Sequence, residues 1–422
     1  MRKKIGIGLA GFGVVGRGIY EVLAENSPLI AARAGADFSI QHIVCRHPER
    51  AQSLVGSTIP VGDDTCALIE DPNVDIVIEV MGGIEPAKSL ILGALESGKS
   101  VITANKALLA LHGNEIFNCA KNFGVNVYYE ASVAGGIPII KALREGLSAN
   151  RIESIVGIIN GTTNYILSAM RESALTFPQA LKIAQEKGYA EADPTFDIEG
   201  LDAGHKITLL ASLAFNTPVC FMPENMEGIT QISPEDIAFA QSVGCSIKLL
   251  AIAKNLNGQI QCCVHPTLVD NDNFLAHVNG AMNGVFVQTN ALGPSFYYGA
   301  GAGGKPTASA VIADLIDCAR GNAPIQPAPT TEAFYLPPKE IQSQYYLRLT
   351  ISSSEQLQRV QNYFEGFAIP IEKETLSNQC WMVLTKPIKE NTLQSLISKL
   401  NQLEDLDKPI KVLRKESMLM GI

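Results

Sequence analysis

Long apolar runs are missing from this chain. The longest candidate, Ile207–Phe215, is stopped by Asn216 and Pro218, well short of the ~18 residues that a membrane helix requires. Cysteine pairs at metal-binding spacing are missing too. Nine cysteines are scattered without a CxxC pair, and Cys262 and Cys263 are adjacent, an arrangement that suits neither a zinc knuckle nor an easy disulfide. They are expected to be reduced, mostly buried thiols of a cytoplasmic protein. A basic stripe is absent and the net charge is −9, so neither nucleic acid nor an anionic membrane is an expected partner. There is no internal repeat and no low-complexity tract. The opening MRKKIGIGLAGFG runs straight into a strand and a glycine turn, so no signal peptide is expected. What is present is core-forming material. With 46% hydrophobic and 18% charged residues over 422 positions, the chain can build two or three domains.

Lys4–Ala10 reads as a buried strand. Gly11-Phe12-Gly13-Val14-Val15-Gly16 follows and opens a helical pattern. Strand, GxGxxG and helix in that order are the context a dinucleotide site needs. Gly11 permits the tight turn, Gly13 lets the backbone approach a pyrophosphate, and Gly16 lets the helix pack close to the strand. A second strand, Ser39–Cys45, ends at Arg46. NAD-preferring sites place an acid there; an arginine can hold a 2′-phosphate, which predicts NADP(H) in preference to NAD(H). The buried strand Asp75–Val80, a helix over 86–97 and the strand Ser100–Thr103 complete the alternation. Together they predict an α/β chain with a Rossmann-type, doubly wound parallel sheet. Lys106 follows the last of these strands and is aimed at the crevice beyond the carboxyl ends.

In the middle, a strand over 125–129 leads through Glu130 to a glycine turn, Ala131–Pro138, and a helix over 138–147. The turn is simple as it stands, but its carbonyls and the carboxylate can also hold a hard cation. The strand Ile152–Ile159 ends in Asn160-Gly161-Thr162-Thr163-Asn164-Tyr165. Its hydroxyls, with the free N–H groups of the helix over 164–172, can bind a carboxylate or an amino-acid backbone. The acid-rich stretch Glu186–Lys206 carries Glu191, Asp197 and Asp202, then Lys206 four residues after Asp202. On a helix that pair shares one face at the edge of an apolar run. A lysine so placed can pass a proton to a carbonyl oxygen; the plain alternative is a solvated ion pair. Strands 246–253 and 258–265 form a hairpin about Asn257-Gly258. The glycine run containing Gly301 and Gly303 opens a helix over 306–320, expected to pack back onto the nucleotide fold with its backbone close to the cofactor. A proline-rich linker then precedes a βαββαβ tail.

With these pieces placed, the chain resembles a homoserine dehydrogenase over essentially its whole length. The resemblance rests on the glycine turn, TANKAL at Lys106, EASVAGGIP at Glu130, NGTTNYI, AEADP with GLDAGHK, and GAGAGGKPTASAV. It implies NAD(P)H-dependent, reversible reduction of L-aspartate 4-semialdehyde to L-homoserine in threonine, methionine and isoleucine biosynthesis. Gly11, Phe12, Gly13, Val14, Val15, Gly16 and Arg46, with Gly301 and Gly303, would hold the cofactor. Lys106 would lie beside nicotinamide and substrate. Glu191, Asp197 and Asp202, with Thr162, would bind the substrate, and Lys206 would donate the proton. Glu130 with the backbone of Val133, Gly135 and Ile137 is similar to the family's monovalent cation site, for sodium or potassium. The tail resembles an ACT domain, implying an amino-acid effector, and the form resembled is the monofunctional one. The expected domains are 1–130, nucleotide-binding; 131–321, substrate-binding and dimerisation; 322–344, linker; and 345–422, ACT-like. A homodimer or homotetramer is implied, without a choice between them. Two other readings fit the same residues: a different two-domain dehydrogenase of small amino or hydroxy acids, and a non-catalytic amino-acid sensor.

Overall fold

The structure, a computed structural model, describes residues 2–322, 333–337, 341–407 and 409–416. Part of the linker expected over 322–344, and the last six residues of the tail, lie outside the described residues. The chain divides into two compact units. One is Met1–Ile155, Gly204–Met222 and Met282–Ala333; the other is Val156–Ala203, Pro223–Ala281 and Phe334–Ile422. Among the described residues no helix is long and apolar enough to cross a membrane.

The first unit is built on six strands: β1 Lys3–Ala10, β2 Ala36–Val44, β3 Val61–Gly62, β4 Ile76–Glu79, β5 Ser100–Thr103 and β6 Val127–Tyr128. Their order is β3-β2-β1-β4-β5-β6, and every pairing is parallel. Helices α1 Val14–Glu25, α2 Ser27–Ala34, α3 Pro48–Val55, α4 Cys66–Glu70, α5 Ala87–Glu96 and α6 Lys106–Phe123 connect them. Such strands are covered on both faces, so they are apolar almost throughout. Ile5, Ile7, Leu9, Ile76, Ile78 and Ile102 share one buried cluster with Ala308, Val311 and Leu315 of the later helix Gly304–Arg320. That helix lies against α1 so closely that a Cβ on Gly18 would stand 2.5 Å from the backbone of Gly304. The register places Ala10 beside Val44 and Glu79, and Glu79 beside Thr103. The loops that carry Gly11, Arg46, Met81 and Lys106 therefore all leave the sheet along its carboxyl edge. Strands Met282–Thr289 and Pro294–Ala300 add an antiparallel hairpin.

Three expectations need correction. The strand over 125–129 shrinks to Val127–Tyr128, because the chain turns at Glu130–Ser132. The helix over 138–147 is one α-turn, Ile139–Lys141, continued as a π-helix over Ala142–Gly146; the amide of Leu147 reaches back five residues to the carbonyl of Ala142, 2.8 Å. Finally, the cysteines are free but mostly not buried. Only Cys245 and Cys262 are buried, and Cys66 and Cys220 are exposed. Cys66 opens a short surface helix, and its amide is held by the Asp64 carboxylate at 2.9 Å.

In the second unit, Cys245–Leu256 and Gln259–Asp270 form the expected hairpin. Asn257 (φ 55°) and Gly258 (φ 93°) both take the left-handed backbone that a two-residue turn requires. The tail runs strand Gln342–Thr350, helix Ser354–Gly366, strands Ile371–Ser377 and Cys380–Thr385, helix Glu390–Leu400 and strand Lys411–Glu416, with a two-residue strand at 388–389. Its core gathers Tyr345, Leu347, Val360, Leu396 and the single tryptophan, Trp381, whose ring meets Phe364 edge-on. The last strand pairs in parallel with Gln259–Asp270, Arg414 beside Thr267. The tail sheet therefore continues into the hairpin, a long-range pairing with no local sequence signal.

Candidate active site

At the carboxyl edge of the first unit's sheet, Gly11 adopts φ 100°, and a Cβ there would meet the Val80 carbonyl at 2.6 Å. Its amide donates to Val44 at 2.8 Å. A Cβ on Gly16 would stand 2.1 Å from the Gly11 carbonyl oxygen, whereas one on Gly13 would meet nothing within 4 Å. Gly13 also caps α1 without a side-chain hydrogen bond. An open glycine at an uncapped helix start is the cradle that a pyrophosphate needs, so these residues fit a dinucleotide. Phe12 packs edge-on against Tyr20, Val15 is half-buried and Val14 is exposed. Arg46 is exposed two residues beyond β2, before α3. Gly303 (φ 121°) starts the helix Gly304–Arg320, and a Cβ on Gly301 would overlap the Asn283 side chain.

Lys106 is the first residue of α6 and is half-buried. The residue before it, Asn105, accepts from the Leu108 amide at 3.2 Å and donates to the Gly83 carbonyl at 2.7 Å. The Asn105 amide donates to the Thr103 hydroxyl at 3.0 Å, and that hydroxyl donates to Glu79 at 2.6 Å. The other oxygen of Glu79 accepts from the amides of Met81 (2.8 Å) and Gly82 (3.2 Å). Glu79 is completely buried. Burial raises its pKa, and the donors around it oppose the rise. Sequence reasoning missed Glu79 and Thr103; the available signal was a carboxylate closing the apolar run DIVIEV.

The turn after β6 holds a second buried carboxylate. Glu130 accepts from the amides of Ile140 (2.9 Å) and Lys141 (2.8 Å), and burial lifts its pKa to about 7. Its own amide donates to Asp314 at 2.8 Å, and burial moves that residue to about 8. Ala134 and Gly135 both take φ 55°, which turns the backbone of Val133–Ile137 back on itself. The Ile137 carbonyl accepts from the Ile139 amide at 2.8 Å. Among the described residues no three His, Cys, Asp or Glu side chains are grouped to hold a metal, which excludes a side-chain metal cluster there.

In the second unit, Asn160 caps the helix Gly161–Ser173 by accepting from the Thr163 amide at 2.8 Å. Its side-chain nitrogen donates to Asp197 at 2.7 Å and to Asp202 at 2.8 Å. Two of the expected substrate acids are thus brought together by a residue the sequence reading had not assigned. The clue was an Asn at the N-cap position before a helix. Asp202 is buried. The Thr162 hydroxyl is turned to the Tyr189 carbonyl at 2.7 Å. Glu191 is exposed, and its carbonyl accepts from Gln185. Gly200 (φ 80°) precedes the helix Leu201–Ala214, which carries Asp202 and, one turn on, the half-buried Lys206.

A parallel sheet with an open glycine cradle at its carboxyl edge, a lysine at the same edge and a separate pair of bridged carboxylates define a dinucleotide-dependent oxidoreductase. The comparisons with known proteins specify which. Residues 138–316 match the model of the homoserine dehydrogenase family, and residues 11–130 match that of the homoserine dehydrogenase NAD-binding domain. A homoserine dehydrogenase of Neisseria gonorrhoeae is 44% identical, with 99% of each chain covered. The crystal structure of a homoserine dehydrogenase from Thiobacillus denitrificans superposes with a TM-score of 0.92 at 43% identity, with 99% of each chain covered. A hyperthermophilic archaeal homoserine dehydrogenase mutant, solved in complex with NADPH, superposes with a TM-score of 0.63 at 29% identity over 75% of this chain and 97% of that one. The chain belongs to the homoserine dehydrogenase family of NAD(P)-dependent oxidoreductases.

Proposed function

We propose the following roles for this chain's residues in the reversible interconversion of L-aspartate 4-semialdehyde and L-homoserine. The glycine turn Gly11–Gly16 and the loop of Gly301 and Gly303 bind the dinucleotide, whose reduced nicotinamide supplies the hydride. Arg46 takes the 2′-phosphate, so NADP(H) is preferred over NAD(H). Support comes from its place beyond β2 and from the NADPH bound by the archaeal relative. Asp197, Asp202 and Glu191 hold the substrate ammonium, and the Thr162 hydroxyl helps to bind the same substrate. Lys106 and Lys206 offer ammonium groups to the oxygen that becomes negative, and Lys206 delivers its proton there. Asp202, one turn earlier on the same helix, orients Lys206. The observation that carries this reading is the Asn160 bridge, which ties Asp197 to Asp202, four residues before Lys206 on the same helix.

The test offers purified protein NADPH or NADH with aspartate semialdehyde, other aldehydes and small keto acids. Turnover of the semialdehyde that favours NADPH supports the assignment; faster turnover of a keto acid removes it. Repeating the assay with potassium, sodium or neither tests the cation site at Glu130, Val133, Gly135 and Ile137, which predicts activation by one of the two.

The tail suits regulation by an amino acid. A cavity of about 450 Å³ in the second unit is lined by Glu227, Arg348, Asp407 and Lys411, and charges of both signs suit a zwitterion. Burial lowers the pKa of Lys411, so a ligand carboxylate there would meet a poorly solvated amine. Titration calorimetry with threonine and with methionine decides whether either binds. Self-association is supported by the strand Pro294–Ala300, which stands at a sheet edge with Tyr298 exposed; sedimentation velocity distinguishes monomer, dimer and tetramer.

A further inference from the structure

We infer that Glu79 is a positioning residue for the hydride-transfer step, acting as a clamp that sets where Lys106 stands. This inference rests on the role proposed above for Lys106. Glu79 closes β4, and its neighbour across the sheet is Thr103, the last residue of β5. One carboxylate therefore reaches both loops that leave the sheet at this point. One oxygen gathers the amides of Met81 and Gly82; the other takes the Thr103 hydroxyl at 2.6 Å. Thr103 in turn accepts the amide of Asn105, whose side chain spans from the Gly83 carbonyl to the Leu108 amide. The links join the end of β4, the loop after it, the end of β5 and the start of α6. The link from the Asn105 side chain to the Leu108 amide joins residues on either side of Lys106.

The arrangement is more than a filled core. Its neighbours along β4 are apolar, yet position 79 holds a carboxyl group with no exposure to solvent. Burying a carboxylate is costly unless its oxygens are satisfied, and here the partners are the backbone of a glycine-rich loop, Met81-Gly82-Gly83. Gly82 and Gly83 have φ 72° and 76°, a backbone with little rigidity of its own. The carboxylate fixes that loop, and through Thr103 and Asn105 it fixes the first turn of α6. A misplacement of about 1 Å at a reacting group costs on the order of 10²-fold in rate, so a clamp one residue away is worth a buried carboxyl group.

The test uses the full chain with Glu79→Gln, Thr103→Val, Thr103→Ser, Lys106→Met and the double variant Glu79→Gln/Lys106→Met. Turnover, KM for both substrates, the kinetic isotope effect with C4-deuterated NADPH, and thermal midpoints are measured. The inference expects Glu79→Gln and Thr103→Val to lower kcat about 10- to 100-fold, to leave the dinucleotide KM within about threefold, and to raise the isotope effect as the hydride step slows. Thr103→Ser, which keeps the hydroxyl, restores most of the rate. The double variant is no slower than Lys106→Met alone. Wild-type kcat and isotope effect in Glu79→Gln or Thr103→Val, with only a lower thermal midpoint, overturn the inference and leave Glu79 a packing residue. If Glu79→Gln does not fold, the Thr103 pair decides on the same criteria. A fast Lys106→Met enzyme overturns the Lys106 assignment instead, and that result is read from a variant in which the clamp is intact.

Discussion

The side-chain nitrogen of Asn160 lies 2.8 Å from Asp202 and, on its other side, 2.7 Å from Asp197. Two carboxylates are held side by side by a neutral donor. Replacing Asn160 by Ala removes two hydrogen bonds to charged groups, each contributing roughly 1.5–3 kcal/mol. The expected outcome is a rise in KM for homoserine of about 10- to 100-fold with an unchanged KM for the dinucleotide. Steady-state kinetics varying each substrate in turn checks it, and equal effects on both KM values would count against an ammonium site at these acids.

Arg46 is the second test. Its guanidinium has no acid to oppose it where NAD-selective sites place one. Arg46→Ala is expected to lower kcat/KM for NADP(H) by about 10- to 100-fold, the value of a charge-assisted contact, and to leave kcat/KM for NAD(H) within about threefold. Equal losses with the two cofactors would place Arg46 outside the phosphate site.

Some of this architecture was legible in the sequence because it depends on local spacing. The glycine turn, the alternation of apolar strand and helix, the Asn257-Gly258 hairpin and the placing of Asp202 and Lys206 one turn apart on one helix are short-range patterns. Glu79 and Thr103 were not legible. They are 24 residues apart, and only the parallel register of β4 on β5 makes them neighbours. Asn160 was read as part of a polar loop, since nothing local shows that residues 37 and 42 positions later will return to it. The π-helical turn at Ala142–Gly146 escaped too, since nothing in its local residues marks it; the Glu130 carboxylate holds the amides of Ile140 and Lys141 just before it.

Two glycines of the same turn separate folding from binding. A Cβ on Gly16 would collide with the Gly11 carbonyl oxygen at 2.1 Å, whereas a Cβ on Gly13 projects into open space. Gly16→Ala is therefore expected to destabilise the first unit by about 1–3 kcal/mol, the usual cost of overpacking. Gly13→Ala leaves the thermal midpoint unchanged and raises the dinucleotide KM. Calorimetry with cofactor titration checks both; a destabilised Gly13→Ala would mean that the cradle is not open.

Lys248 predicts a pH dependence of stability. It is buried in the strand Cys245–Leu256, and its ammonium is met by the Val278 carbonyl and the side-chain oxygens of Asn164 and Asn279. Burial, and then the Arg171 charge, brings its pKa down to about 7 from 10.5. Between those values the unfolded chain holds the proton and the folded chain releases it, so the unfolded state binds more protons and stability rises with pH from about 7 to 10. Lys248→Met leaves three oxygens without this donor. It is expected to lower stability at pH 7 by about 1–3 kcal/mol and to flatten the rise. Urea midpoints at several pH values test this, and an unchanged slope in the variant would assign the rise to another group.

Lys206 carries the largest expected effect on turnover. It sits one helical turn after Asp202, at the edge of the apolar run that anchors the helix Leu201–Ala214, and it is half-buried. When the aldehyde carbon accepts a hydride, its oxygen takes a full negative charge, and a nearby ammonium both stabilises that charge and ends it by proton transfer. Removing the amine leaves water to do the same work without orientation. Lys206→Ala is expected to lower kcat by roughly 10²–10⁴-fold, the share general acid catalysis supplies, while KM for the semialdehyde changes by less than about tenfold, since the ammonium-binding acids remain. Lys206→Arg keeps the charge but holds its proton too tightly to deliver it, so it should recover binding of a negatively charged analogue without recovering turnover. Turnover within about threefold of wild type in Lys206→Ala would move the proton donor elsewhere, with Lys106 the next candidate to test.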